Sequence, residues 1–133
     1  MEKLLKIQTE IGKLSKDKAN PFFNSSYFDI NQIIEQLLPL LEKYGITVLQ
    51  PLSNVEGRPA LATLIYDGDK LLSETLVTLP DLDNPQKLGS AVTYYRRYSL
   101  TALFLLQADD DDGNKASKKK AIKTNQSESD VPF

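Results

Sequence analysis

The chain has 133 residues, 41% hydrophobic and 26% charged, enough for one folded domain and little more. It contains no cysteine and no histidine, which excludes disulfides, thiolate nucleophiles and every Ser-His-Asp or Cys-His catalytic arrangement. Its net charge of −2 is unevenly placed: residues 1–114 carry 11 basic and 16 acidic side chains, residues 115–133 carry 5 and 2, and four acids form the run Asp109 to Asp112.

The first segment, MEKLLKIQTEIGKL, mixes charge with isolated apolar residues and has no continuous apolar stretch of the kind a secretory signal needs. Leu4, Leu5, Ile7, Ile11 and Leu14 fall near helical spacing, predicting an amphipathic helix over 2–16. A loop follows from Lys16 to Ser26. Asp29 then caps a second helix with the stripe Ile30, Ile33, Ile34, Leu37, Leu38 and Leu41. Pro39 is expected to kink that helix or end its regular part, and Gly45 to stop it.

The middle reads as strands over Ile46–Leu52, Ala60–Tyr66 and Leu71–Leu79, with turn chemistry at Asp67-Gly68-Asp69. Short connections between them predict an antiparallel meander. Asn84-Pro85 starts a helix expected to run to about Leu106. Leu88, Ala91, Val92, Tyr95, Ser99, Ala102, Leu103 and Leu106 share one face of it. Arg97 points away from that face, Arg96 sits at its border, and Leu100 and Phe104 widen the apolar surface. Such a helix needs a second contact, from another element or another subunit. Residues 115–129 are mostly lysine, serine and other polar or small residues, a composition that predicts a disordered tail. The expected fold class is α+β: a three-stranded antiparallel β-meander packed on a long helix, with N-terminal helices. The expected domains are 1–114 and the tail 115–133.

Three segments, in this order and spacing, resemble the ERF (essential recombination function) family of phage single-strand annealing proteins. They are Asn20-Pro21-Phe22-Phe23-Asn24-Ser25-Ser26-Tyr27-Phe28-Asp29-Ile30, the stretch Pro85 to Leu100 containing Thr93-Tyr94-Tyr95-Arg96-Arg97-Tyr98-Ser99, and the acidic run through Asp112-Gly113-Asn114. The resemblance implies single-stranded DNA binding, strand annealing, and assembly into rings or helical homo-oligomers. It also implies a core like that of ring-forming annealing proteins, with a β-meander against a long helix. The chain is short for that family, and its second helix has one proline where a pair is common. The chain's end, Glu128-Ser129-Asp130-Val131-Pro132-Phe133, is similar to the acidic tip of bacterial single-stranded-DNA-binding proteins. That similarity implies a partner pocket holding the Phe133 ring and its carboxylate, with Asp130, Val131 and Pro132 beside it.

Sequence-indifferent binding of a single strand calls for cations on phosphates and aromatic faces for bases. Arg96 and Arg97, flanked by Tyr94 and Tyr98 and preceded by Lys87, have that composition. The bland reading makes the tyrosines core and pairs the arginines with acids of a neighbouring subunit; Tyr95, on the apolar stripe, is read as core. Lys13, Lys16 and Lys18, followed by Phe22 and Phe23, offer a second basic and aromatic wall, against the reading of a solvated helix end and a packed loop. Lys118 to Lys120 are a solvated run or a loose phosphate-contacting arm. Consecutive acids in a loop seldom converge on one cation, so Asp109 to Asp112 are read as a charged exit from the helix or a subunit-facing patch rather than a magnesium site.

The expectation is therefore a cytoplasmic, ATP-independent annealing protein without catalytic residues, metal or nucleotide cofactor; there is no glycine-rich phosphate loop. Its expected partners are single-stranded DNA, copies of itself, host proteins that bind such acidic tips, and a phage exonuclease, with no membrane. The alternatives are an interaction protein that recruits or blocks host repair factors through the tip, and a plain single-strand binder with an OB barrel, which would want about five strands.

Overall fold

A computed structural model of the chain describes residues 1–16, 29–81 and 83–106, the side chains of residues 13–16 excepted. Among the described residues, three helices and an antiparallel sheet of four strands form an α+β fold. The expected boundary between domain and tail lies outside the described residues.

Helix α1 covers Glu2–Lys16 and helix α2 covers Ile30–Tyr44. Asp29 caps α2 in a full capping box: its carboxylate accepts from the Gln32 N–H, and the Gln32 amide oxygen accepts from the Asp29 N–H. The helix does not end at Pro39. Leu37 on one side and Leu40 and Leu41 on the other are buried, and their packing carries the helix past the missing hydrogen bond to Gly45. Gly45 adopts the left-handed conformation (φ 69°) and its N–H caps the last turn. Glu10 of α1 meets Lys43 and Tyr44 of α2: the Lys43 ammonium lies 3.1 Å from its Oε1, and the Tyr44 hydroxyl donates to the same oxygen.

The expected first strand is two. Strand β1 (Ile46–Leu49) and strand β2 (Leu52–Val55) both pair with the long strand β3 (Arg58–Asp67), whose other side pairs with β4 (Lys70–Thr78). Leu49 stands opposite Leu64 and Leu52 opposite Leu61, so the register is unbroken between them. The interruption falls at Gln50-Pro51, where proline has no N–H to donate, while the Pro51 carbonyl still accepts from Ala62 at 3.0 Å. β2 also extends beyond the expected strand, into a two-residue turn at Glu56-Gly57, both with positive φ (51° and 83°). That is the pattern of a type I′ hairpin, and the Asn54 side chain secures it by accepting from the Gly57 N–H. Gly68 (φ 60°) opens the predicted second turn, and a bulge in β4 follows near Tyr66.

Helix α3 spans Pro85–Leu103, shorter than the sequence reading to Leu106. Phe104 caps it and Leu105 turns left-handed (φ 55°). The Leu105 N–H then bonds Ala102 and the Leu106 N–H bonds Thr101, a Schellman closure built without glycine. Burial of Leu106 offsets the strain at Leu105, which is itself exposed. The buried side also departs from the predicted stripe: Ala102 is exposed, whereas Leu100 and Phe104 are buried. The reason is that α3 has two neighbours. It lies against β3 and against α2, and its end joins Leu4, Ile7 and Ile11 of α1 and the buried stripe of α2 in one core. The second contact its wide surface required is thus an element of the same chain.

On β3, Ile65 joins the helical core, and so does Val48 opposite it. Strand alternation places Ala62, Leu64 and Tyr66 on the other face, with Leu49, Leu76 and Leu71 as their cross-strand partners. Those three leucines are 45%, 52% and 44% exposed. Among the described residues no helix covers this outer face.

Candidate nucleic-acid interface

The site is set by the phase of α3. Asn84 accepts from the N–H groups of Gln86 and Lys87, and Pro85 supplies a fixed φ where no N–H is needed. From that start, 3.6 residues per turn place Lys87, Tyr94 and Tyr98 nearly in line, with Arg97 beside them. Lys87 is exposed in the first turn and Tyr98 is 48% exposed.

The ring centroids of Tyr94 and Tyr98 are 4.4 Å apart. The Arg97 guanidinium lies 4.8 Å from the Tyr98 centroid and 5.6 Å from that of Tyr94. Tyr95 meets Tyr94 edge to face at 5.3 Å. The result is a half-open ridge of adjoining, mutually tilted rings carrying a cation, held by cation–π attraction and not extended freely into water. Arg97 is accordingly half-buried, where the sequence reading only pointed it away from the apolar face. Burial and the neighbouring Tyr98 hydroxyl push the Tyr94 phenol up to about 12, so it stays neutral throughout the working range.

Arg96 belongs to a different surface. One residue along is about 100° around the helix, and Arg96 lines a cleft between α2, β1 and α3, beside Leu38, Leu41, Val48 and Leu100. Gln50, at the break between β1 and β2, also lines it. The Gln50 amide donates to Thr63 Oγ1 at 3.1 Å and to the Arg96 carbonyl at 3.4 Å, tying the strand break to the middle of α3. No periodic pattern marks Gln50; the only sequence signal was a proline next to it inside a strand.

The structure therefore brings Tyr94, Arg97 and Tyr98 together, sets Lys87 on the same side, and places Arg96 apart from them. The side chains of Lys13 and Lys16, and Lys18, Phe22, Phe23, Asp130, Val131, Pro132 and Phe133, lie outside the described residues. Among the described residues no group of carboxylates is arranged to hold a metal ion. No helix there is long and apolar enough to cross a membrane.

A family model, that of the ERF superfamily, matches residues 1–132 of the chain. No curated protein and no solved structure matches it.

Proposed function

The chain belongs to the ERF superfamily, and on that premise we propose that it binds single-stranded DNA and anneals complementary strands without ATP, in phage recombination within the host cytoplasm. The observation that carries the reading is the Tyr94–Arg97–Tyr98 ridge. A cation held over two adjoining aromatic rings contacts phosphate and base without selecting a sequence. Lys87 extends the positive side of the ridge by two helical turns. The role is that of a surface and not of a catalyst of bond cleavage: a strand held by its phosphates keeps its base edges readable, and duplex stability drives pairing.

The outer face of the sheet supports self-association. Exposed Leu49, Leu71 and Leu76 share this face with Glu74, opposite Leu64, and a second copy would cover the leucines, giving the ring or helical oligomer expected of the family. This replaces the width of α3 as the reason to expect an oligomer, since α2 already covers that surface. Asp130 to Phe133 serve as a contact for a host repair protein or an exonuclease. An open four-stranded sheet with three helices does not favour the OB-barrel alternative.

The test is a time course of annealing between two complementary oligonucleotides without nucleotide. The wild-type chain should raise the rate at least tenfold over the spontaneous reaction. A chain that binds each oligonucleotide but leaves the rate unchanged would be a plain binder. Light scattering that finds only monomer, with and without DNA, would remove the oligomer from the account.

A further inference from the structure

The cleft beside Arg96 has no part in the ridge. It is half-open, has a volume of about 260 Å³, and is floored by Ile34, Leu37 and Leu41 of α2 with Val48 and Leu100. Its polar atoms come from Gln50 and Arg96. Among the described residues no carboxylate forms an ion pair with Arg96. Leu38, at its edge, is 56% exposed. The cleft thus offers an apolar floor and one cation, and its complement is an apolar group next to an acid.

We propose that residues 130–133 of this same chain, Asp-Val-Pro-Phe, dock in this cleft, with the Phe133 ring on the apolar floor and the Asp130 carboxylate on the Arg96 guanidinium. The match is one of charge as well as shape. The other aromatic segment outside the described residues, at Phe22-Phe23, follows Lys16, Asp17 and Lys18 and brings net positive charge toward Arg96. In the tip the acid stands three residues before the ring. Pro132 confines Val131 to extended conformations, which lowers the entropy lost on docking.

Reach is ample. Leu103, the last residue of α3, lies about 10 Å along the helix axis from Arg96, and residues 107–130 span up to about 80 Å when extended. On the proposal that these residues act as an unfolded tether, they hold residues 130–133 at roughly millimolar effective concentration, so even a weak contact is substantially occupied. The pocket that a partner protein would offer the tip and the cleft on this chain then compete for one ligand, and the partner is met only when the tip leaves α3.

Because the chain has no cysteine, proximity is read directly on the full-length protein. The pair Leu38→Cys with Val131→Cys, oxidised with glutathione disulfide, should close an intramolecular disulfide at least ten times faster than Leu71→Cys with Val131→Cys, whose first site lies on the outer sheet face. Adding Phe133→Ala, which leaves the folded part untouched, should abolish that advantage. Equal rates for the two pairs overturn the proposal. So does an advantage that survives Phe133→Ala, which would remove the ring from the contact. A disulfide that forms only between chains assigns the cleft to a second copy's tip, and a faster reaction of Leu38→Cys with Phe23→Cys than with Val131→Cys assigns it to the loop; either result rejects docking within one chain.

Discussion

Arg96 and Arg97 are neighbours in sequence and occupy different surfaces. Arg97 lies across two tyrosine rings on a side of α3 open to solvent, whereas Arg96 lines a cleft floored by α2. One turn on from Arg96, Leu100 lines the same cleft and, with Phe104, is buried in the core. A dibasic motif on a helix is therefore two structural positions. The helix phase and the neighbours of each turn decide which of them reaches a ligand.

The largest effect expected is on the buried side. Phe104 is fully buried, and Phe104→Ala should cost about 3–5 kcal/mol, read as a lower midpoint in urea. A loss under about 1 kcal/mol would show that α3 is not anchored by its last turn. Next comes the ridge: Tyr98→Ala should weaken binding of a dT oligonucleotide by about 1–3 kcal/mol, the value of one stacked base, with Tyr98→Phe close to wild type. If Tyr98→Phe fell as far as Tyr98→Ala, the hydroxyl and not the ring face would be the contact. Arg96→Ala sharpens the contrast, since its direct effect on DNA affinity should be smaller than that of Arg97→Ala.

The smallest effects concern pH. A hydrogen bond from Lys3 holds the Asp67 carboxyl below its usual range, so this contact contributes above the ordinary carboxylate pKa and is lost as pH falls through the lowered value. Glu10 raises Lys43 and Tyr44, so their contribution is complete below their ordinary values and is lost as pH rises through the raised ones. Stability should be flat from pH 6 to 9. DNA affinity should lack any step attributable to Tyr94, whose phenol does not ionise until about pH 12. A Tyr94 ring signal that titrates near pH 10 in an NMR titration would place Tyr94 in water and dissolve the ridge.

Local signals made the ends of elements readable. Asp29, Gly45 and Asn84-Pro85 each carry a side chain or backbone preference that acts within four residues, and the helices begin or stop there. The hairpin at Glu56-Gly57 was not readable, because glutamate seldom takes a positive φ and the Asn54 side chain that holds the turn lies outside it. The end of α3 was overrun for the same reason: its left-handed residue is Leu105, paid for by burying Leu106, and no glycine announces it. The angular separation of Arg96 from Arg97 was visible from periodicity. The cleft was not, since it needs Gln50 and α2, which only the tertiary fold brings to Arg96.

The central claim is that Arg97, on its tyrosine ridge, meets single-stranded DNA. The most direct measurement is fluorescence anisotropy of a labelled dT oligonucleotide with wild type and Arg97→Ala across a salt series, alongside their melting temperatures. The account predicts wild-type affinity that falls with salt. For Arg97→Ala it predicts affinity about tenfold weaker, a log–log salt slope shallower by about one, and a melting temperature within about 2 °C of wild type, as for a surface substitution. Equal affinities and equal slopes for the two proteins would contradict it.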